Sequence, residues 1–223
     1  MEILANARHD RIVRFLGGCV QRDNLCILFE WCPQSLFDLL QTANAPLSAA
    51  RVATIAREVA LGIYYLHCCK PPVLHLDLKS ANVLLDQHGQ AKVCDFGLAH
   101  LKLDGGGVMT ARTGSPMWTA PEVLKGETIT EAADTYSFGM LLFELLTRRL
   151  PHGNVSAPQV VIGVITGMLK QPEYHAGVAG RAYPEPLPDL MRTCWQYETA
   201  KRPSFETVLD KLDEIASQLH ISN

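Results

Sequence analysis

The chain has 223 residues, 48% of them hydrophobic and 19% charged, which is enough for a sizeable core and excludes a chain too polar to fold. Its formal net charge of −3, with no basic run, excludes a general role on nucleic acid or membrane surfaces, so partners must be taken by a specific site. No stretch has the length of a membrane span and no signal-peptide pattern is found; seven cysteines without repeated C-x-x-C spacing suit reduced thiols in the cytoplasm better than a disulfide framework.

In chain order, Ile3, Leu4 and Ala7 at helical spacing predict the end of a helix, closed by Arg8-His9-Asp10. Residues 12–20 and 25–31 read as strands around a polar turn, and Gly17-Gly18 inside the first marks a bulge or a close packing contact. A short helix over 36–41 follows. Pro46-Leu47-Ser48 then announces a long helix in which Val52, Ile55, Val59, Ile63 and Leu66 recur at threes and fours, stopped by Pro71-Pro72. Short apolar strands on either side of a turn at 86–89 lead into Asp95. Residues 136–147 are apolar nearly all round and predict a buried helix. Helices over 157–168, 187–195 and 205–219 complete the series. Cys68, Cys69 and Cys94 are expected to be buried structural thiols.

The residues that carry chemistry concentrate at His75-Leu76-Asp77-Leu78-Lys79-Ser80-Ala81-Asn82 and at Asp95-Phe96-Gly97. The strand pair between them would hold Asp77, Lys79, Asn82 and Asp95 on one edge. Phosphoryl transfer from a nucleotide needs such a set: a carboxylate to orient the attacking hydroxyl, hard oxygen ligands for magnesium, and a cation near the moving phosphate. A lone His-x-Asp is more often a buried histidine beside a capping aspartate. Here it is followed by Ala120-Pro121-Glu122, by Asp134-Thr135-Tyr136-Ser137-Phe138-Gly139, by Cys194-Trp195 and by Arg202-Pro203. In that order the motifs resemble the catalytic domain of the eukaryotic protein kinases. Lys79 and the segment Gly114-Ser115-Pro116-Met117-Trp118-Thr119 make the chain similar to the tyrosine-kinase-like Ser/Thr group, which includes Raf-like and mixed-lineage kinases.

The resemblance implies an α+β, protein-kinase-like fold, mainly the helical large lobe with a remnant of the small β lobe. Residues 1–31 would be a partial small lobe (the end of its helix and two strands) running to the hinge, 32–219 the large lobe, and 220–223 a tail. Asp77 would be the catalytic base, Lys79 would steady the γ-phosphate of ATP, and Asn82 and Asp95 would hold magnesium. Glu30 and Cys32 would offer hinge backbone to the adenine, behind a gatekeeper at Phe29, with Leu84 as the floor. Thr110, Thr113 and Ser115 would belong to the activation segment, Ser115 bonding the catalytic aspartate and lysine. His75, Phe96, Glu122, Asp134 and Arg202 would be structural, with Glu122 paired to Arg202 and Asp134 anchoring the catalytic loop's backbone.

Two departures modify that expectation. Leu76 stands where most of the family carry the arginine that reads a phosphorylated activation segment; leucine cannot pair a phosphate, so activation through Thr110 or Thr113 is weakened while the chemistry at Asp77 is untouched. No lysine precedes Lys70 and no G-x-G-x-x-G occurs, so the family's phosphate-covering loop and strand lysine are expected to be missing from a chain truncated at its N-terminus. The expected function is an ATP-dependent protein serine/threonine kinase in signalling, with ATP and a protein substrate as partners and weak or no activity in this chain. A pseudokinase acting as a binding scaffold is the alternative, and a small-molecule phosphotransferase fits worst, because of Ala120-Pro121-Glu122 and Arg202.

Overall fold

The computed structural model describes residues 7–21, 24–43, 45–95, 100–101, 115–175 and 182–219. Expectations that fall on Ile3, Leu4, Phe96, Gly97, Thr110 and Thr113 therefore lie outside the described residues.

Strands β1 (Phe15–Gln21) and β2 (Asn24–Phe29) form an antiparallel ribbon whose register runs from Phe15 opposite Phe29 to Gln21 opposite Asn24. The register slips between Phe15 and Gly17, a bulge at Leu16 just before the glycine pair, and a Cβ on Gly17 would meet nothing within 4 Å, so no close packing contact calls for a glycine at that position. The first strand starts later than expected because Ile12 and Val13 are drawn elsewhere. Ile12 bridges to Val93, and the Val13 N–H donates to the Val93 carbonyl at 2.9 Å. The second strand stops at Phe29, short of the expected 31.

Beyond the ribbon, β3 (Gln34–Ser35), β5 (Val83–Leu85) and β6 (Ala91–Val93) make an antiparallel sheet in the order β3-β5-β6, while β4 (Val73–Leu74) pairs with β7 (His100–Leu101). Helix α1 (Leu36–Thr42) starts from a reciprocal cap: Ser35 Oγ accepts the Asp38 N–H at 3.1 Å, and the Asp38 carboxylate accepts the Ser35 N–H at 3.1 Å. Helix α2 (Ala49–His67) starts from Ser48, which accepts the Arg51 N–H, and buries the Val52, Ile55, Val59, Ile63 and Leu66 stripe that its spacing predicts. At Gly62 a Cβ would lie 2.7 Å from the Arg11 carbonyl oxygen; only glycine lets the segment before β1 come so close to α2.

Helix α3 (Pro121–Lys125) has proline in its first turn and the left-handed Gly126 (φ 70°) at its end. Helix α4 (Ala132–Thr147) is buried over residues 133–147 and forms the centre of the core. It begins at Ala132, not at 136 as expected, because its first turn is held by polar contacts that an apolar pattern does not reveal. Helix α5 (Ala157–Ile165) ends before the expected 168: Gly167 turns left-handed (φ 71°) and Met168 is 85% exposed. Helices α6 (Pro186–Cys194) and α7 (Phe205–Gln218) pack on α4 and α2 respectively. The thiol expectation needs correction as well. Cys94 is half-buried, but Cys68 is exposed, because it follows the last buried turn of α2.

Candidate active site

The loop between β4 and β5 is hung from α4. Asp134, wholly buried in the first turn of that helix, accepts the backbone N–H groups of His75 at 2.9 Å and Leu76 at 2.8 Å, and the His67 ring at 2.8 Å. Burial raises the Asp134 carboxyl, but the hydrogen bond and charge of His67 and the loop amides outweigh it and hold the group below the usual carboxylate value. His75 fixes the other side of the loop. Its Nδ1 accepts the Asp77 N–H at 3.2 Å, so Nε2 carries the proton and donates it to the Cys94 carbonyl at 3.0 Å. One imidazole thus joins the loop to the residue before Asp95.

Asp77 lies at the middle of what these anchors hold. Its Oδ2 receives Lys79 Nζ at 2.8 Å and Asn82 Nδ2 at 2.9 Å, and the same Asn82 nitrogen also reaches the Asp77 carbonyl at 2.8 Å. Lys79 Nζ donates in addition to Ser115 Oγ at 2.6 Å, so Ser115 meets the lysine directly and the aspartate through it. Residues 80–82 form a single 3₁₀ turn that puts Asn82 immediately before β5. Asp95, which follows β6, is exposed and left-handed (φ 61°). Burial, followed by the Asp95 charge, pushes the Cys94 thiol up to about 12, which keeps it protonated and unreactive at neutral pH.

Leu76 is buried in the core with φ 63°, so its side chain packs as an apolar residue beside the loop it belongs to. Glu122 and Arg202 form a two-pronged ion pair at 2.6 and 2.8 Å, and the guanidinium also donates to the carbonyls of Ala132, Gln196 and Tyr197. At the chain's other side, Glu30 turns its carboxylate to Lys92 Nζ (3.0 Å) and to the Arg14 N–H (2.7 Å), facing an open cavity of about 700 Å³ lined by none of Asp77, Lys79, Asn82 and Asp95. The Glu30 N–H is taken as well, donating to the Arg14 carbonyl at 2.9 Å, so a ligand could use this residue only through its carbonyl oxygen. Cys32 and Leu84 are half-buried, and Trp31 between Glu30 and Cys32 is exposed.

One contact has no sequence signal. Glu144 of α4, 2% exposed, accepts Ser80 Oγ at 2.5 Å, the Ser80 N–H at 3.2 Å and Trp118 Nε1 at 2.6 Å. Burial pushes its carboxyl up to about 7, against the opposing pull of those bonds and of Lys79.

Among the described residues no cluster of three or more His, Cys, Asp or Glu side chains is placed to hold a metal. Magnesium does not need one: it takes one or two protein oxygens and completes its shell with phosphate oxygens and water. Asn82 could serve that use, because its side-chain nitrogen donates to Asp77, which makes its oxygen the atom it could offer to a cation.

The family model described as protein kinase domain matches residues 1–212. The chain is 38% identical over 216 residues to a probable serine/threonine-protein kinase of Dictyostelium discoideum, covering 96% of this chain and 23% of the relative. It is 40% identical over 215 residues to the serine/threonine-protein kinase CTR1 of Arabidopsis thaliana (94% and 25%), and 34% identical over 218 residues to STY17 of the same plant (97% and 37%). The chain thus spans well under half the length of these relatives. It belongs to the protein kinase domain family, and its likeness within that family is to serine/threonine kinases of the tyrosine-kinase-like type.

Proposed function

We propose that this chain is the catalytic core of a cytoplasmic protein serine/threonine kinase that passes the γ-phosphoryl group of ATP to serine or threonine hydroxyls of a protein substrate. Residues 1–31 would supply part of the small lobe up to the hinge, 32–219 the large lobe and 220–223 a tail. The observation that carries the reading is the cluster at Asp77, where Lys79, Asn82 and, through Lys79, Ser115 converge on one carboxylate. Magnesium-bound ATP supplies the phosphoryl group when present. Asp77 orients the acceptor hydroxyl and takes its proton on the carboxylate, and Lys79 sets a positive charge beside the transfer path. Asn82 and Asp95 would hold the metal. The backbone of Glu30 and Cys32 and the side chain of Leu84 would receive the base.

A binding scaffold is the second reading; the 223 residues hold no lysine before Lys70 and no G-x-G-x-x-G, the parts that usually grip the α- and β-phosphates. Weak nucleotide binding and slow transfer are therefore expected of this polypeptide. Thermal melting with and without ATP and magnesium separates the readings, since a ligand at about 100 times its Kd stabilises by roughly 2.7 kcal/mol. A magnesium-dependent rise that disappears in Asp95→Ala, with slow transfer abolished by Asp77→Asn, supports the kinase. No rise and no transfer support the scaffold.

A further inference from the structure

Helix α4 ends where Arg148 turns left-handed (φ 57°), and Pro151 prevents the helix from resuming. The chain then winds through a loop, closed by the Gly153 N–H on the Leu150 carbonyl at 3.1 Å and the Val155 N–H on the His152 carbonyl at 2.9 Å, before Ser156 caps α5. His152 is left-handed as well (φ 53°). That conformation is ordinarily glycine's, so an arginine and a histidine are held there at a conformational cost. Both line one cavity of about 560 Å³, a size that suits a ligand, whose other walls include Gln41 of α1, Phe143 of α4 and Glu173 and His175.

The cavity's positive charge is not neutralised. Arg148 donates from Nε to the Leu40 carbonyl at 2.8 Å and from Nη2 to the Ala43 carbonyl at 2.5 Å. These bonds fix the guanidinium against the end of α1, and its remaining N–H groups have no partner among the described residues. The Arg149 side chain is exposed and likewise without a partner among them. Arg57, Arg192 and Arg202, by contrast, each meet a carboxylate. The His152 ring makes no hydrogen bond among the described residues; burial lowers its pKa, so at neutral pH it is an uncharged donor. Glu173, the one carboxylate among the described lining residues, faces the His175 ring at 3.2 Å. In a chain of formal net charge −3 this is a local positive field.

The cavity also stands near the chemistry. Phe143 precedes Glu144, which holds Ser80 beside Lys79, and α1 packs on the turn at 80–82. From Glu144 to Arg148 the helix rises about 6 Å. An extended peptide advances roughly 3.3 Å per residue, so an acceptor with its hydroxyl at Asp77 reaches the cavity within a few residues. We propose that this cavity selects protein acceptors with an acidic stretch, Asp or Glu carboxylates a few residues from the acceptor hydroxyl being received by Arg148 and Arg149. His152 donates to the same carboxylates, and Phe143 and Leu150 line the site for their aliphatic stems. The proposal deepens the kinase reading above and rests on it. Two arginines set against Glu173 leave a small net positive charge, which suits single carboxylates better than a doubly charged phosphate.

The test uses a fluorescein-labelled peptide with one serine beside a run of glutamates, together with its glutamine and phosphoserine counterparts. By fluorescence anisotropy the wild type should bind the glutamate peptide saturably and roughly tenfold tighter than the glutamine one. Arg149→Glu, at an exposed position that does not endanger the fold, should weaken that binding roughly tenfold, the worth of one charge-assisted hydrogen bond. Lys201→Glu makes the same change of charge at an exposed residue that does not line the cavity, and should bind as the wild type does. No preference for glutamate, or an equal loss in both variants, overturns the site. Much tighter binding of the phosphoserine peptide overturns the carboxylate assignment. In transfer, the glutamate peptide should show the lower KM, and Arg149→Glu should raise that KM roughly tenfold while kcat and the KM for ATP stay unchanged. A glutamine peptide used equally well overturns acceptor selection. Transfer to neither peptide by the wild type sinks the kinase reading and the acceptor role with it, while anisotropy still decides whether the cavity takes an acidic peptide.

Discussion

Arg202 shows what a single buried residue carries in this molecule. Its guanidinium is used on every side, by both oxygens of Glu122 and by three backbone carbonyls, and its side chain has no exposure. Removing Glu122 leaves that charge uncompensated. Glu122→Ala should therefore lower the unfolding free energy by about 3 to 5 kcal/mol, read from urea denaturation midpoints. A loss of less than about 1 kcal/mol, as at an exposed pair, would show the pair to be dispensable. Asp134 makes a prediction in pH. Its folded carboxyl lies below the unfolded value, so its contribution is fully present above the unfolded carboxylate range and is lost as pH falls through the folded value. The stability gap between the wild type and Asp134→Asn should accordingly be widest near neutrality and narrow below about pH 4. A gap independent of pH would sink that account.

Helix α4 packs closely against its neighbour. A Cβ on Gly139 would lie 2.8 Å from the Trp195 backbone nitrogen and 2.9 Å from its Cβ, so α6 closes on α4 with no room for a methyl group. Alanine gains about 1 kcal/mol of helix propensity over glycine. Overpacking costs about 1 to 3 kcal/mol and should win, so Gly139→Ala is expected to melt lower than the wild type. A higher melting temperature would mean that the α4–α6 contact yields easily. The same helix shows how far the sequence could be read. Its apolar body was legible from periodicity, like the buried stripe of α2, since burial on one or all faces writes itself into spacing. Its first turn was not, because Asp134 and Thr135 are polar residues satisfied by distant partners: the His75 and Leu76 amides and the Pro203 carbonyl. Helix α3 is too short to show a period at all. The grouping of Asp77, Lys79 and Asn82 followed from their closeness in one motif, whereas Glu144 reads locally as a polar interruption. Its partners Ser80 and Trp118 come from elsewhere in the chain, and no local pattern joins them.

At the scale of the whole molecule, the β1–β2 ribbon contrasts with the rest. Successive side chains on a strand face opposite sides, and here both sides are uncovered: Leu28 is 57% exposed on one, and Ile27 and Phe29 are 48% and 40% exposed on the other. A two-stranded ribbon is marginal by itself in water, and exposed apolar patches favour association. The purified chain should self-associate with rising concentration, seen by light scattering, and Leu16→Thr with Leu28→Thr should reduce the effect. A monodisperse monomer at high concentration would remove this expectation.

The suspension of the catalytic loop from Asp134 has a further consequence, for durability. The His75 and Leu76 amides end on a carboxylate with no exposure, inside the most buried helix, so water cannot reach them while α4 stays in the core. Their hydrogen exchange should therefore report the free energy of global unfolding, not of local breathing. Loops around active sites commonly open first; this one is built to let go only when the fold does.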